Sequence, residues 1–215
     1  MIVDTLDIIT LIGGAGATTD EVSTAVALSS SVVAADSGAD AALEAGVEPC
    51  IVIGDLDSIS PKAKAAFRHK IECFNEQETT DFEKCLLSTK ASRILAVGFS
   101  GGRLDHQLSV LNVIARYTER RIVLYGCGDV SILIPDSGMT LELPVGTRLS
   151  LMPLAQARVW SQGLRWDLSG QWMRPDGFVS ISNEVCGQVC LRAEGQILLV
   201  LPAEALGQVW QQISN

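Results

Sequence analysis

Hydrophobic residues follow two different patterns along this chain, and the change comes near residue 127. Before it, short apolar runs typical of buried strands alternate with segments whose apolar residues recur at helical spacing. The predicted strands are 8–12, 31–35, 50–53, 93–97 and 121–125, and the predicted helices are 19–29, 38–45, 61–68, 80–90 and 103–117. This alternation predicts a mostly parallel sheet with helices on both faces, which is an α/β domain.

After residue 127, short apolar runs follow one another, with a helical pattern only in the final residues. The predicted strands are 131–134, 140–143, 148–152, 158–161, 188–192 and 196–201. Glu194-Gly195 separates the last two and predicts a hairpin turn between them. We therefore expect an all-β second domain, an antiparallel sandwich or barrel, and place the two domains at 1–127 and 128–215.

Composition and charge narrow the classes of partner. The 215 residues include 16 basic and 25 acidic side chains, and the formal charge of −9 disfavours binding to nucleic-acid backbones. Apolar runs are all well short of the roughly 20 residues that cross a bilayer. The segment Met1–Asp7 carries two acidic and no basic side chains, unlike a signal peptide. We expect a cytoplasmic protein with no membrane or nucleic-acid partner.

Polar side chains concentrate where the predicted strands end or the helices begin. Asp36 follows the second strand, and Gly54-Asp55-Leu56-Asp57-Ser58 follows the third. The segments Thr79–Lys84 and Gly101–His106 each open a helix. In a parallel sheet, such segments meet at the carboxyl edge, where these folds bind ligands.

The Asp-x-Asp pair that follows the third predicted strand has two interpretations. Asp55 and Asp57 are separated by one residue, so in an extended segment their carboxylates point the same way. Two converging carboxylates repel each other unless a cation or a proton lies between them. Because Mg²⁺ takes one or two carboxylates together with water and phosphate oxygens, the pair indicates either a magnesium site or a solvated turn.

The segment at the start of the fourth predicted helix also has two interpretations. Thr80 and Glu83 fit a capping box, in which each side chain bonds the other residue's backbone N–H. Asp81 and Lys84 lie three residues apart on one helical face. They predict either an exposed ion pair or a metal ligand beside a phosphate ligand.

The glycines before the fifth helix favour an anion site. Gly101-Gly102 can bring backbone N–H groups close to an anion, and Arg103 adds a guanidinium fork suited to phosphate oxygens. Asp105 and His106 follow in the first helical turn. The chain has no GxxxxGK[ST] loop, which argues against the commonest scheme for binding nucleoside triphosphates.

Seven short segments, taken in order, resemble the thiamine pyrophosphokinase (thiamine diphosphokinase) family. They are 36–40 (DSGAD), 53–58 (IGDLDS), 77–85 (QETTDFEKC), 101–106 (GGRLDH), 146–153 (GTRLSLMP), 163–166 (GLRW) and 180–183 (SISN). The resemblance covers nearly the whole chain. It implies a Rossmann-like α/β domain at 1–127 that binds ATP and metal, followed by an antiparallel β-sandwich or barrel domain at 128–215 that binds thiamine.

The resemblance also implies a reaction and the residues that perform it. The thiamine hydroxyl attacks the β-phosphorus of ATP, giving thiamine diphosphate and AMP, in a homodimer whose active sites lie at the subunit interface. The implied catalytic residues and Mg²⁺ ligands are Asp55, Asp57 and Asp81, of which Asp55 or Asp81 takes the hydroxyl proton. The implied ATP contacts are Asp36, Gln77, Thr80, Lys84, Arg103 and Asp105, and the implied thiamine contacts are Trp166, Ser182 and Asn183.

Three alternatives accompany this interpretation. They are an enzyme of the same fold acting on another alcohol, a non-catalytic thiamine- or nucleotide-binding protein, and a phosphatase or glycosyltransferase that uses the Asp-x-Asp pair. Segment 180–183 together with Trp166 favours thiamine, and the presence of every acidic and basic site residue disfavours a decayed site. Trp166 has a second interpretation as a core residue of the β domain, which is also what we expect of Trp160, Trp172 and Trp210.

Overall fold

The computed structural model describes residues 8–74, 76 and 78–214, and they form two compact units. Unit 1 comprises the described residues up to Val113 together with Leu124–Cys127. Unit 2 comprises Ile114–Val123 and the described residues from Gly128 onward. The predicted division of function between 1–127 and 128–215 stays a prediction.

Unit 1 is built on a parallel sheet with helices between its strands. Its strands are β1 (Ile8–Ile12), β2 (Ser31–Ala35), β3 (Ile51–Gly54), β4 (Ile71–Cys73) and β5 (Arg93–Val97). Its helices are α1 (Thr19–Val26), α2 (Gly38–Glu44), α3 (Pro61–Ala66), α4 (Asp81–Leu87) and α5 (Leu104–Arg116), the last ending in unit 2. The strands lie side by side in the order β5-β1-β2-β3-β4, all parallel. The next strand, β6 (Arg121–Gly126), is divided between the two units.

Local signals explain where the helices of unit 1 begin and end. α1 starts at a capping box between Thr18 and Glu21. It ends at Val26, three residues earlier than predicted, where the hydroxyl of Ser29 donates to the carbonyl of Val26 and so competes with the helical pattern. α3 starts at Ser60, whose hydroxyl accepts from the N–H of Ala63.

The core of unit 1 explains the near-continuous apolar runs in its sequence. The last four residues of β1, β2 and β5 and all of β3 are buried. The first residue of α2 must be small, because a Cβ on Gly38 would lie 2.0 Å from the carbonyl oxygen of Ile12. This close approach brings the first turn of α2 against the carboxyl end of β1.

Unit 2 is antiparallel throughout the pairs that the structure describes. Its strands are β7 (Asp129–Leu133), β8 (Met139–Leu141), β9 (Arg148–Pro153), β10 (Ala157–Leu164), β11 (Ser169–Met173), β12 (Ser180–Glu194) and β13 (Ile197–Pro202). They form one sheet in the order β7-β13-β9-β12 and a second in the order β8-β12-β10-β11. A 3-10 helix (Ala203–Ala205) and α6 (Leu206–Ser214) follow. The predicted α/β sheet followed by an antiparallel β-sandwich is therefore confirmed.

The predicted hairpin at Glu194-Gly195 is wrong. β9 lies between β12 and β13, so the strands on either side of this turn do not pair with each other. The reason is the length of β12, whose first residues pair with β9 while its last residues pair with β8 and β10. The turn carries the chain from the second sheet back to the first.

Two strands were not predicted because they lack an apolar pattern. β4 has only three residues, and two of them are exposed. β11 has the sequence SGQWM with one buried residue, at the edge of its sheet. None of the described helices combines the length and apolar character needed to cross a membrane.

Candidate functional site

A cavity of about 600 Å³ opens at the carboxyl edge of the parallel sheet of unit 1. Its walls are the segments that follow β1, β2, β3 and β5, together with the first turns of α4 and α5. The lining residues are Gly13–Ala15, Ala35–Ser37, Asp55, Asp57, Ser58, Thr79–Phe82, Lys84, Gly98, Phe99, Gly102, Arg103, His106, Ser109 and Val110. Most of the predicted ATP and metal residues therefore share one cavity.

Asp36 is the most buried of the acidic residues in this cavity, with 5% of its surface exposed. It directly follows β2, where its N–H donates to the carbonyl of Ile53 at 2.8 Å. Its φ of 44° is left-handed, a conformation that non-glycine residues seldom adopt and that clusters at functional sites. A Cβ on Gly54 would lie 2.9 Å from the Cβ of Asp36, so glycine at the end of β3 leaves the room that this carboxylate occupies.

Three carboxylates converge beside this position. One oxygen each from Asp36, Asp55 and Asp57 lies within 4.8 Å of the others. The turn that brings Asp55 and Asp57 together is not extended as predicted, because Leu56 between them has a φ of 64°. The N–H of Asp57 donates to Oδ1 of Asp55 at 3.3 Å, which holds the turn closed.

The cluster has the features of a cation site. Oδ1 of Asp36 is buried and has no hydrogen-bond partner among the described residues. Burial, and next the negative charge of Asp81, raise the pKa of Asp36, with smaller contributions from Asp57 and Asp55. An unpartnered buried carboxylate oxygen among like charges is the donor set that a hard divalent cation such as Mg²⁺ accepts. The residues therefore fit the predicted metal.

Asp81 and Lys84, in the first turn of α4, also line the cavity. The hydroxyl of Thr80 accepts from the N–H of Glu83 and starts α4, which is one half of the predicted capping box. Lys84 Nζ lies 3.1 Å from Oδ1 of Asp81, and the lysine side chain is only 5% exposed. The interpretation as a solvent-exposed ion pair is therefore wrong. Asp81 lies outside the group formed by Asp36, Asp55 and Asp57, so its predicted role as a metal ligand stays a prediction.

Arg103 is a further charged residue of the cavity and directly precedes α5. Gly101 and Gly102 before it have φ values of 86° and 65°, which explains why this turn requires glycine. Arg103 pairs with Asp105 at 2.6 Å, and both side chains are largely exposed. The hydrogen bond from Arg103 lowers the pKa of Asp105 and raises that of the guanidinium. Arg103 lines the cavity, whereas Asp105 is not among the lining residues and is hydrogen-bonded to Arg103.

Some residues that line the cavity were not predicted from the sequence. Phe99 comes directly after Gly98, the residue that follows β5; it lines the cavity, and its ring centre lies 4.7 Å from that of Phe82. Its position at a strand end is the signal that would have found it. Ser109 lines the cavity one turn into α5, where the sequence gives no comparable signal. The predicted ATP contact Gln77 lies outside the described residues.

The predicted thiamine residues lie together in unit 2. Trp166, in the loop between β10 and β11, is 57% exposed, so its interpretation as a core residue is wrong. Ser182 is exposed at a bulge in β12 and has a φ of 57°. Asn183 is 2% exposed, and its side chain bonds the backbone of Trp166. Trp172 is also exposed, contrary to expectation, whereas Trp210 is buried as expected.

Comparison with known sequences decides the family. A model of the thiamin pyrophosphokinase catalytic domain matches residues 22–125. A model of the vitamin B1 binding domain of thiamin pyrophosphokinase matches residues 138–198. Together the two span more than half of the chain in the order expected for one protein. The chain belongs to the thiamin pyrophosphokinase family.

Individual proteins with similar sequences are also named as thiamine pyrophosphokinases. Thiamine pyrophosphokinase 1 of Arabidopsis thaliana is 34% identical over 64% of this chain and 59% of its own length. Thiamin pyrophosphokinase 1 of Caenorhabditis elegans is 25% identical over 73% of this chain and 71% of its own length. The chain thus spans about 59% of the length of the plant relatives it matches.

Solved structures of thiamin pyrophosphokinases share the fold. The enzyme from Candida albicans superposes with a TM-score of 0.80 at 18% identity, covering 93% of this chain and 92% of its own. The protein from Geobacillus thermodenitrificans has a TM-score of 0.75 at 24% identity, covering 91% and 96%. At these sequence identities the structural similarity shows the fold alone, so the chemistry has to be argued from the residues of the site.

Proposed function

We propose that this protein transfers a pyrophosphoryl group from ATP to the hydroxyl of thiamine, giving thiamine diphosphate and AMP. The observation that carries the proposal is the buried Asp36 carboxylate, one oxygen of which has no partner among the described residues, beside Asp55 and Asp57 in the cavity that Lys84 also lines. The names of the family and of its relatives supply the substrate. A cytoplasmic location stays a prediction.

Asp36, Asp55 and Asp57 would hold Mg²⁺, with Asp81 as the further ligand that the family resemblance implies. When bound, the ion neutralises the polyphosphate and strengthens the electrophilic character of phosphorus. One carboxylate oxygen from each of the three lies within 4.8 Å of the others, a separation that a shared cation can bridge. Ser58 donates to Oδ1 of Asp57 at 2.8 Å, which orients that carboxylate.

Lys84 and Arg103, which both line the cavity, would bind the phosphate oxygens of ATP. The ammonium of Lys84 is held by Asp81, so it is oriented and poorly hydrated, and a phosphate oxygen gains more from it than from a mobile surface lysine. Arg103 offers its fork from the glycine turn before α5. Gln77, Thr80 and Asp105 remain proposed nucleotide contacts on the family resemblance.

The hydroxyl oxygen of thiamine attacks the β-phosphorus as the bond to the bridging oxygen of AMP breaks. The hydroxyl proton passes to a carboxylate, for which Asp55 and Asp81 are the candidates. Asp36 lines the cavity but is less suited to this role, because only 5% of its surface is exposed. Most of the acceleration then comes from positioning and charge neutralisation by residues that are already in place.

Thiamine would bind to unit 2 at the exposed face of Trp166, whose loop is hydrogen-bonded to Asn183 of β12, next to Ser182. Thiamine carries a flat, positively charged thiazolium ring, and an indole face attracts such a cation. The 128–215 domain would thus supply the acceptor site, and the 1–127 domain the ATP and metal site.

A homodimer with active sites at the subunit interface is part of the proposal. Unit 2 exposes several large apolar side chains in the part of the chain that the structure describes, namely Trp166, Trp172, Phe178 and Ile181. Such side chains mark interaction surfaces when they lie close together. Light scattering of the purified protein tests this directly, and a mass of one chain would contradict it.

The reaction is tested by incubating the protein with ATP, thiamine and Mg²⁺ and separating the products. Equal amounts of AMP and thiamine diphosphate, both lost on adding EDTA, are the expected result. ADP with thiamine monophosphate would keep the site but change the transferred group. Turnover with another alcohol alone would indicate a related pyrophosphokinase, and binding of thiamine or ATP without turnover would indicate a binding protein.

A further inference from the structure

We propose that Asn183 is a positioning residue, which fixes the loop that carries Trp166 and does not itself contact thiamine. This inference rests on the proposed thiamine site and refines it. It separates two residues that the sequence resemblance places in one set, the exposed indole of Trp166 and the buried amide of Asn183.

The side-chain amide of Asn183 bonds both backbone polar groups of Trp166, as the backbone of a neighbouring strand would. Its Oδ1 accepts the N–H of Trp166 at 3.2 Å, and its Nδ2 donates to the carbonyl of Trp166 at 2.8 Å. Oδ1 also accepts the N–H of Glu184 at 2.8 Å. Both backbone polar groups of Trp166 are therefore bonded to one side chain that is distant in sequence.

These bonds leave the amide little capacity for a ligand. A carboxamide has two acceptor positions on oxygen and two N–H donors, and both acceptors and one donor are used within the chain. The side chain is also 2% exposed. A ligand that reached it would have to break a bond to the backbone of Trp166 and leave a buried polar group unpaired.

Other bonds fix the same loop from its second side. Asp167 Oδ1 accepts the N–H of Leu164 and the hydroxyl of Ser161, each at 3.0 Å. The same hydroxyl oxygen accepts the N–H of Leu168 at 2.8 Å. The loop is thus bonded at both ends and at its centre, and Asn183 makes the bonds at its centre.

One face of the indole is already occupied. The guanidinium of Arg165 lies 4.9 Å from the centre of the Trp166 ring and pairs with Glu184 at 3.2 Å. The N–H of Arg165 donates to the carbonyl of Glu184 at 2.8 Å. The loop therefore presents a single indole face in a fixed orientation, which lowers the entropy lost when a flat ligand stacks on it.

A double-mutant cycle tests the role of Asn183. We expect Asn183→Ala to raise the KM for thiamine about tenfold, since a displaced loop loses stacking, while the KM for ATP changes less than about twofold. In a Trp166→Ala background, Asn183→Ala should have no further effect on the KM for thiamine. Multiplication of the two single effects would mean that Asn183 contacts thiamine itself, and would overturn the proposal. Gln188→Ala, an exposed residue of the same strand, is the control that should change neither KM.

A measurement on the wild-type protein needs neither turnover nor a variant of Asn183. Nuclear magnetic resonance should show slow hydrogen exchange at the side-chain amide of Asn183 and at the N–H of Trp166 without any ligand. Adding thiamine should shift the indole signal of Trp166, identified with Trp166→Phe, and leave the exchange of the Asn183 amide unchanged. Fast exchange at this amide in the free protein, or protection that comes only with thiamine, would overturn the proposal. Slow exchange with no response of Trp166 would instead contradict the proposed thiamine site.

Discussion

The two predicted binding regions of this protein are built in opposite ways. In unit 1, Asp36, Asp55 and Asp57 converge with a buried oxygen that lacks a partner among the described residues. In unit 2, the polar groups around Trp166 bond to one another, and an aromatic ring is left exposed. The first arrangement stores repulsion that a cation relieves, whereas the second is already satisfied and offers a rigid surface. Substitutions should therefore act on chemistry and metal dependence in unit 1, and on thiamine affinity in unit 2.

The largest effect is expected at the cluster itself. Asp57→Asn should lower kcat by about a thousandfold, because a neutral amide cannot help to hold the metal that balances the polyphosphate charge. Circular dichroism should stay unchanged, since the Asp57 side chain is exposed. Asp136→Asn, an exposed carboxylate of unit 2, is the control that should keep full activity. Near-normal turnover of Asp57→Asn would remove the metal site from the account.

The next largest effect is expected at Lys84. Lys84→Met keeps the length of the side chain but removes the buried charge, and should lower kcat/KM for ATP by about a hundredfold. The KM for thiamine should change little, which steady-state kinetics with each substrate varied in turn would measure. Lys64→Met, an exposed lysine of α3, should behave as wild type. Equal losses in both lysine variants would point to a general effect of charge.

The unit 2 side of the comparison predicts a smaller and more selective effect. Trp166→Ala should raise the KM for thiamine about tenfold and leave the KM for ATP unchanged, because one cation–aromatic contact is lost. The free energy of unfolding should hardly change, since the ring is largely exposed. Trp172→Ala is a matched control, because Trp172 is also exposed and also carries an arginine, Arg158, 5.3 Å from its ring centre. Similar kinetics in the two variants would contradict a specific role for Trp166.

The smallest effect is on stability and tests the repulsion in unit 1. Burial and neighbouring charges raise the pKa of Asp36 in the folded protein, so folding favours its protonated form. Its contribution to stability is therefore present at low pH and is lost as the pH rises through the interval above its ordinary value. Without metal, Asp36→Asn should be more stable than wild type by about 1 kcal/mol at pH 8, with the difference shrinking toward pH 4.

Urea unfolding in EDTA at several pH values measures this difference. Mg²⁺ should then stabilise the wild type more than Asp36→Asn, because only the wild type has the full set of carboxylates. A variant that is less stable than wild type at pH 8 in EDTA would show that Asp36 is not repelled by its neighbours.

Much of the fold was predictable because its signal is local. The inner parallel strands of unit 1 are buried on both faces and are therefore apolar along most of their length, as in β1 and β5. The edge strands β4 and β11 were missed because exposed strands need no such pattern. The false hairpin at Glu194-Gly195 arose because a turn signal does not say which strand edge the chain joins.

The candidate site was predictable to the extent that its residues follow strand ends. Asp36, Asp55 and Asp57 were found in this way, and the structure brings them together. The burial of Lys84 was not predictable, because spacing along a helix does not reveal what packs against it. The bonds between Asn183 and Trp166 join residues 17 apart, a relation that no local pattern records.

The most direct test of pyrophosphoryl transfer from ATP to thiamine follows the phosphorus atom that is attacked. The protein is incubated with Mg²⁺, thiamine and ATP that carries a radioactive β-phosphate, and the products are separated by chromatography. We expect the label to leave ATP only as thiamine diphosphate, AMP to be unlabelled, and Asp57→Asn to form almost no labelled product. Label recovered in ADP beside thiamine monophosphate, or no labelled thiamine product from the wild-type protein, would contradict the proposed transfer.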